Sequence, residues 1–208
     1  MTTPLGELDV RERAARRVRV ARTTRETDVA VALDLDGSGV ADVSTGIGFY
    51  DHLLTSLSHH GLFDLEVRAT GDLHVDEHHT VEDVALVLGA ALAEALGDRA
   101  GIRRFGDASV PMDEALATAV VDVGGRPYAV IDLPFRAERA GGLPLQLVEH
   151  ALEAFARTAG ATIHVRGSGR NDHHLAEAAF KALARALRVA CEPDPRREGV
   201  ASTKGSLG

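Results

Sequence analysis

The segment His78-His79-Thr80-Val81-Glu82 sets two imidazoles beside a carboxylate. These side chains hold divalent transition ions at neutral pH, and a carboxylate can also move protons. On a helix, positions three and four apart share a face, so Glu82 lies next to His79 and near His78. Adjacent histidines point roughly 100° apart, at about 3.6 residues per turn. One such segment can give an imidazole to each of two ions, with the carboxylate at the junction. A single copy would say little, because histidines at helix starts are often simply solvated. The segment recurs, however, as His173-His174-Leu175-Ala176-Glu177, again at the opening of a helical run.

His52 and His150 recur in the same way. The candidate donors are therefore His52, His78, His79, Glu82, His150, His173, His174 and Glu177. Imidazole with carboxylate suits Mn, Fe, Ni or Zn, and the lack of thiolate argues against a closed structural zinc site. Asp76, Glu77 and Asp172 directly precede the pairs and are expected to orient the rings. His59 and His60 read as a cap or surface pair. His164 reads as a satisfied core or edge residue, and His74 has no assigned part.

The positioning elements follow from periodicity and turn chemistry. Residues 1–17, with Arg11, Arg13, Arg16 and Arg17, are expected to be a mobile basic arm. A short strand is expected over 18–22. A half-buried strand over 28–36 places Val29, Val31, Leu33 and Leu35 on one face, before turn chemistry at Asp36-Gly37-Ser38-Gly39. A helix over 49–58 ends at Gly61, a strand covers 62–69, and a helix over 81–96 closes at Gly97. The order then restarts. Strands over 117–123 and 128–133 flank Gly124-Gly125-Arg126-Pro127. A helix over 147–158 stops at Gly160, a strand covers 161–166, and a helix over 173–190 ends at Glu192-Pro193-Asp194-Pro195.

The restart is an internal duplication. Glu26 and Asp34 recur as Glu114 and Asp122, 88 positions on. His52 recurs as His150, and Val67-Arg68 as Val165-Arg166, each 98 positions on. The two HHxxE segments differ by 95. Offsets this close are what duplication followed by loop changes leaves behind. The order within each half is too irregular for a doubly wound parallel sheet. The expected fold is α+β: two sheets with helices packed between them, in one pseudo-symmetric domain. Its halves run from about 18–100 and 107–192, and the domain as a whole spans 18–208.

Composition narrows the function classes. A net charge of −8 disfavours nucleic-acid binding, since phosphate neutralisation needs excess Lys and Arg. The lone Cys191 excludes an internal disulfide and suits a reducing compartment. The apolar run at 84–93 is far shorter than the roughly 18 residues of a membrane span. Arg11, Arg13, Arg16 and Arg17 interrupt any signal-peptide core. A soluble cytoplasmic chain is expected.

Longer stretches identify a family. Gly46-Ile47-Gly48-Phe49-Tyr50-Asp51-His52, Ser58-His59-His60-Gly61-Leu62-Phe63-Asp64 and Arg68-Ala69-Thr70-Gly71-Asp72 carry the resemblance, with His78-His79-Thr80-Val81-Glu82-Asp83. Arg103-Arg104-Phe105-Gly106, Pro111-Met112-Asp113-Glu114, Gly125-Arg126-Pro127, Asn171-Asp172-His173-His174, Phe180-Lys181-Ala182 and Ser202-Thr203-Lys204-Gly205 extend it. Together they cover about 18–207, and the chain resembles the imidazoleglycerol-phosphate dehydratases of histidine biosynthesis. Two departures stand out. The loop at 167–170 is one residue shorter than the family pattern, and Ser56 stands where some members carry glutamine.

The resemblance implies a metal-dependent hydro-lyase that converts imidazole glycerol phosphate to imidazole acetol phosphate. It implies two divalent ions per active site, Mn2+ above others. The implied fold is a helical layer between two mostly four-stranded sheets, with halves like the ribosomal protein S5 domain 2 type. It also implies trimers assembled into a homo-oligomeric shell of about 24 subunits, with metal sites between subunits. By resemblance Glu26 handles the carbon-bound proton and touches substrate, with Glu82 and Glu177 as the other acid–base candidates. Arg104, Arg126, Lys181, Ser202, Thr203 and Lys204 are the implied phosphate partners, the last three forming a phosphate-binding tail. A di-metal phosphate hydrolase is the competing enzyme reading, and a metal-storing shell the competing non-enzymatic one.

Overall fold

The computed structural model describes residues 8–207. The first half runs β1 (Asp9–Ala14), β2 (Arg17–Thr23), β3 (Thr27–Asp34), β4 (Ala41–Ser44), α1 (Gly48–Gly61), β5 (Asp64–Gly71) and α2 (His78–Leu96). The second half repeats this order from β2 onward. It runs β6 (Phe105–Met112), β7 (Ala115–Asp122), β8 (Tyr128–Asp132), the short pair β9 (Arg139–Ala140) and β10 (Leu143–Pro144), α3 (Gln146–Ala159), β11 (Thr162–Ser168) and α4 (Asp172–Cys191). Every expected helix and strand forms, and β1, β4, β6, β9 and β10 are additional.

Strand β3 shows the expected alternation: Thr27, Val29, Val31 and Leu33 are buried, and the residues between them are not. The sheets have strand orders β1-β2-β3-β5-β4 and β6-β7-β11-β8. In both, only the last pair is parallel, β4 with β5 and β8 with β11. Parallel neighbours need a crossover, which α1 and α3 provide.

The duplication holds in hydrogen-bond register. Val31 faces Val67 across β3 and β5, and Ala119 faces Val165 across β7 and β11. Val43 and Ile131 occupy matching places beside Val67 and Val165. Even the turn before each half is shared. Arg16 and Arg104 both adopt positive φ (60° and 72°), and their carbonyls accept from Leu35 and Val123, each at 3.0 Å.

One expectation needs correcting. Residues 9–14 of the anticipated mobile arm form β1, an antiparallel edge strand on β2. The first sheet therefore has five strands. All six β1 residues stay exposed, so the strand has no apolar face for a sequence pattern to reveal. It is held by backbone pairing, and its charges blunt the open edge. Residues 1–7 of that arm lie outside the described residues.

Helices α1 and α2 cover the first sheet, and α3 and α4 the second. Across the middle, α1 packs on α4 and α2 on α3. The core is mostly Ala, Val and Leu, and α2 and α4 are buried over most of their circumference. Between the halves, the buried guanidinium of Arg99 closes α3. It donates to the carbonyls of Ala159 (2.8 Å), Gly160 (2.9 Å) and Val123 (2.7 Å), tying the end of α3 to the loop after β7.

Candidate metal centre

Each HHxxE segment begins a helix, and each start is fixed locally. Asp76 Oδ1 accepts from the backbone N–H of His78 at 2.8 Å. Asn171, the N-cap of α4, accepts from His173 N–H at 3.0 Å. The planes of the paired rings are nearly perpendicular, at 87° for His78 and His79 and 82° for His173 and His174.

Six of the eight candidate donors converge as two triads, His52/His173/Glu177 and His78/Glu82/His150. Within each, the ligand atoms lie within 4.8 Å of one another. Each triad joins the halves. His52, on α1 of the first half, meets His173 and Glu177 on α4, while His150, on α3 of the second half, meets His78 and Glu82 on α2. Each carboxylate lies in a single triad.

In the first triad, Glu177 Oε2 lies 3.2 Å from His52 Nε2 and 3.4 Å from His173 Nε2. Its other oxygen, Oε1, accepts from Lys181 Nζ at 2.7 Å. Burial pushes the Glu177 carboxyl up, but the bonds from Lys181 and His52 outweigh it, so the net shift is downward and the group stays ionised. The ring of Phe49 lies 4.7 Å from His173 and 6.2 Å from His52. In the second triad, Glu82 Oε1 lies 3.5 Å from His150 Nε2, and Oε2 lies 3.9 Å from His78 Nε2. Arg157 donates to Glu82 Oε1 at 3.0 Å.

His79 and His174 stand outside both triads. His79 Nδ1 pairs with Asp72 at 3.0 Å, with Glu26 at 3.9 Å. The hydrogen bond to Asp72 holds the His79 pKa up and that of Asp72 down. His174 Nδ1 pairs with Glu114 at 2.9 Å. That bond, with N–H donations from Asn171 (2.7 Å) and Arg170 (2.9 Å), pulls Glu114 down to about 2. In both cases Nε2 is the ring nitrogen left for another partner.

The groups expected to orient the rings do other work. Asp76 caps α2, Glu77 pairs with Arg139 at 2.5 Å, and Asp172 accepts from the N–H groups of Arg136 and Ala137. The ring partners are Asp72 and Glu114, which sequence reasoning missed in that role. The recurrence of Glu26 as Glu114 was the one available signal.

Glu26 lies in the β2–β3 turn, 54% exposed. The anticipated phosphate cations differ in their surroundings. Arg104 is engaged by Asp122 (2.6 and 2.8 Å) and by the Ala201 carbonyl (2.6 Å), so it anchors the C-terminal tail. Lys181 is held by Glu177. Arg126, Thr203 and Lys204 are exposed, and Ser202 is half-buried with its hydroxyl accepting from Lys204 N–H at 3.2 Å. His59 and His60 end α1, and His164 is half-buried on β11. Clefts of about 700 Å³ and 610 Å³ open beside His78 and His173, and Arg139 lines both.

Fold and site together define a duplicated α+β scaffold carrying two imidazole–carboxylate triads across the seam of its halves. The family described as imidazoleglycerol-phosphate dehydratase matches residues 45–187. The imidazoleglycerol-phosphate dehydratase of Methanoculleus marisnigri is 57% identical over 188 residues, covering 90% of this chain and 97% of that protein. The chloroplastic one of Pisum sativum is 57% identical over 190 residues, covering 90% and 68%. The solved imidazoleglycerol-phosphate dehydratase of Pyrococcus furiosus superposes with a TM-score of 0.78 at 39% identity, covering 90% of this chain and 99% of that one. That of Staphylococcus aureus gives 0.77 at 34%, covering 85% and 98%. The chain belongs to the imidazoleglycerol-phosphate dehydratase family, hydro-lyases of histidine biosynthesis.

Proposed function

We propose that this chain dehydrates imidazole glycerol phosphate to imidazole acetol phosphate, using two divalent ions per active site, Mn2+ above others. The observation that carries the metal dependence is the pair of triads. His150 Nε2 is buried without a hydrogen-bond partner, as a nitrogen kept for an ion would be. Two imidazoles and a carboxylate form a donor set suited to Mn2+. His52, His173 and Glu177 would hold one ion, and His78, His150 and Glu82 the other. His79 and His174, each with Nδ1 anchored on a carboxylate, would complete sites in neighbouring copies, in a shell of about 24 chains built from trimers. Among the described residues no helix is long and apolar enough to cross a membrane, and a cytoplasmic setting fits this reading.

Bound ions would act as Lewis acids and as a template for the substrate imidazole. The chain's own residues supply the rest. Elimination needs a base for a weakly acidic C–H, and Glu26 takes that part. It stands beside His79 while Asp72 carries the hydrogen bond to that ring. Glu82 and Glu177 are committed to the triads. Arg126 and Lys204, with the hydroxyls of Ser202 and Thr203, would receive the phosphate, and Arg104 holds their tail in place through Ala201. Lys181 would reach the phosphate only by leaving Glu177.

The test is an assay of protein purified without chelator, with metal quantified by elemental analysis. Ketone formation that stops on chelation and returns with Mn2+ is expected. Inorganic phosphate release without ketone would replace the dehydratase by the di-metal hydrolase.

A further inference from the structure

We infer that the two triads are inequivalent: His52/His173/Glu177 takes a divalent ion first and more tightly, and Arg157 competes with the ion for Glu82 in the other. This rests on the metal-dependent reading above and goes beyond it. The duplication makes the ligands equivalent, His52 with His150, His173 with His78 and Glu177 with Glu82. The residues around them are not. Lys181 corresponds to Leu86, Phe49 to Leu147 and Arg157 to His59.

Both carboxylates touch one cation, so charge does not separate the triads. Geometry does. Lys181 holds Glu177 by Oε1, and the free Oε2 already faces both imidazole nitrogens, at 3.2 and 3.4 Å. The carboxylate is preset to give one oxygen to an ion. Arg157 instead holds Glu82 by Oε1, the same oxygen that faces His150 at 3.5 Å, while His78 faces Oε2 at 3.9 Å. Loading this triad requires Arg157 to withdraw or the carboxylate to turn. Burial acts in the same direction. The Glu177 side chain is 10% exposed against 28% for Glu82, and less water strengthens an ion–carboxylate contact. Phe49 packs only against the first triad's rings, which limits their rotation.

The experiment titrates the metal-stripped full-length protein with Mn2+ alone, reading free Mn2+ by electron paramagnetic resonance. Two classes of site are expected, separated by about tenfold or more. His52→Asn should delete the tight class and His150→Asn the weak one. Arg157 is half-exposed, so Arg157→Met should strengthen the weak class by only about three- to fivefold, the scale of a surface ion pair, and leave the tight class unchanged. Two equivalents bound with one affinity would overturn the inference and leave the metal reading standing. So would an Arg157→Met variant with an unchanged weak class. A protein that retains no Mn2+ removes both.

Discussion

Gly89 and Thr158 are in direct apposition: a Cβ at Gly89 would lie 2.3 Å from Thr158 Oγ1. That hydroxyl donates to the Leu86 carbonyl at 2.7 Å, tying α3 to α2 at their crossing. The Phe155 carbonyl lies 2.4 Å from the same Cβ position, so the neighbour that must yield is partly backbone. Gly89→Ala should therefore force α2 and α3 apart. Overpacking costs about 1–3 kcal/mol, which exceeds the helix-propensity gain of about 1 kcal/mol. The second triad spans these two helices and the first does not. Urea denaturation should show the lost stability, and Mn2+ titration should show the weak class weakened with the tight class intact.

Chelation should break the assembly. If ligands from several chains meet at each ion, stripping the metal takes the particle of about 24 chains to trimers, and Mn2+ restores it. His79→Ala and His174→Ala should each mimic chelation, since both rings stand outside their own chain's triads. Light scattering on the stripped protein and both variants is the check, and an unchanged mass throughout would remove the intersubunit role.

Glu26→Gln should separate chemistry from binding. The amide keeps the shape of the side chain but cannot accept a proton, so turnover should fall by about 10²–10⁴-fold. Metal content and particle mass should stay at wild-type values, because Glu26 belongs to neither triad. Near-normal turnover would take Glu26 out of the mechanism. Lost metal would make it a ligand.

Asp64 should supply part of the acid sensitivity. Its Oδ1 accepts from the N–H groups of Ser38 (2.8 Å), Gly39 (3.1 Å) and Val40 (2.9 Å), closing the β3–β4 loop. The bonds from Val40 and Ser38 hold its pKa below 3.8 against the opposing effect of burial. A depressed folded pKa means stabilisation present above the unfolded value and lost as pH falls through the folded one. Asp64→Asn should be less stable than wild type at neutral pH. Its urea midpoint should also fall less between about pH 5 and about pH 3. Parallel pH curves would show that Asp64 contributes nothing to acid unfolding.

Much of this structure is legible in the sequence where a periodic pattern meets a buried face. The offsets of 88 and 98 reappear as the pairings Val31 with Val67 and Ala119 with Val165. Gly61, Gly97 and Gly160 do mark helix ends, though at α1 the left-handed position falls on Leu62, φ 55°. Strand β6 escaped because Gly106 and Pro111 break its pattern, and β4 because four residues, two half-buried and two exposed, carry little signal. The eight candidate residues were readable as a set, and six of them converge in the structure, but their grouping was not readable. Which helix of one half faces which helix of the other is decided by packing between layers, and no local pattern records it. Asp72 was hidden for the same reason, since its bond to His79 depends on how the loop after β5 returns to α2.

Because each triad takes donors from both halves, an ion seated there would staple the two layers together. By mass action, a ligand that binds only the folded chain at about 100 times its Kd adds about 2.7 kcal/mol per site. With both triads filled, one half cannot melt without emptying both sites. The halves, already joined through one core, would then be coupled more tightly, and the supply of free metal would set how far the unfolding equilibrium is shifted.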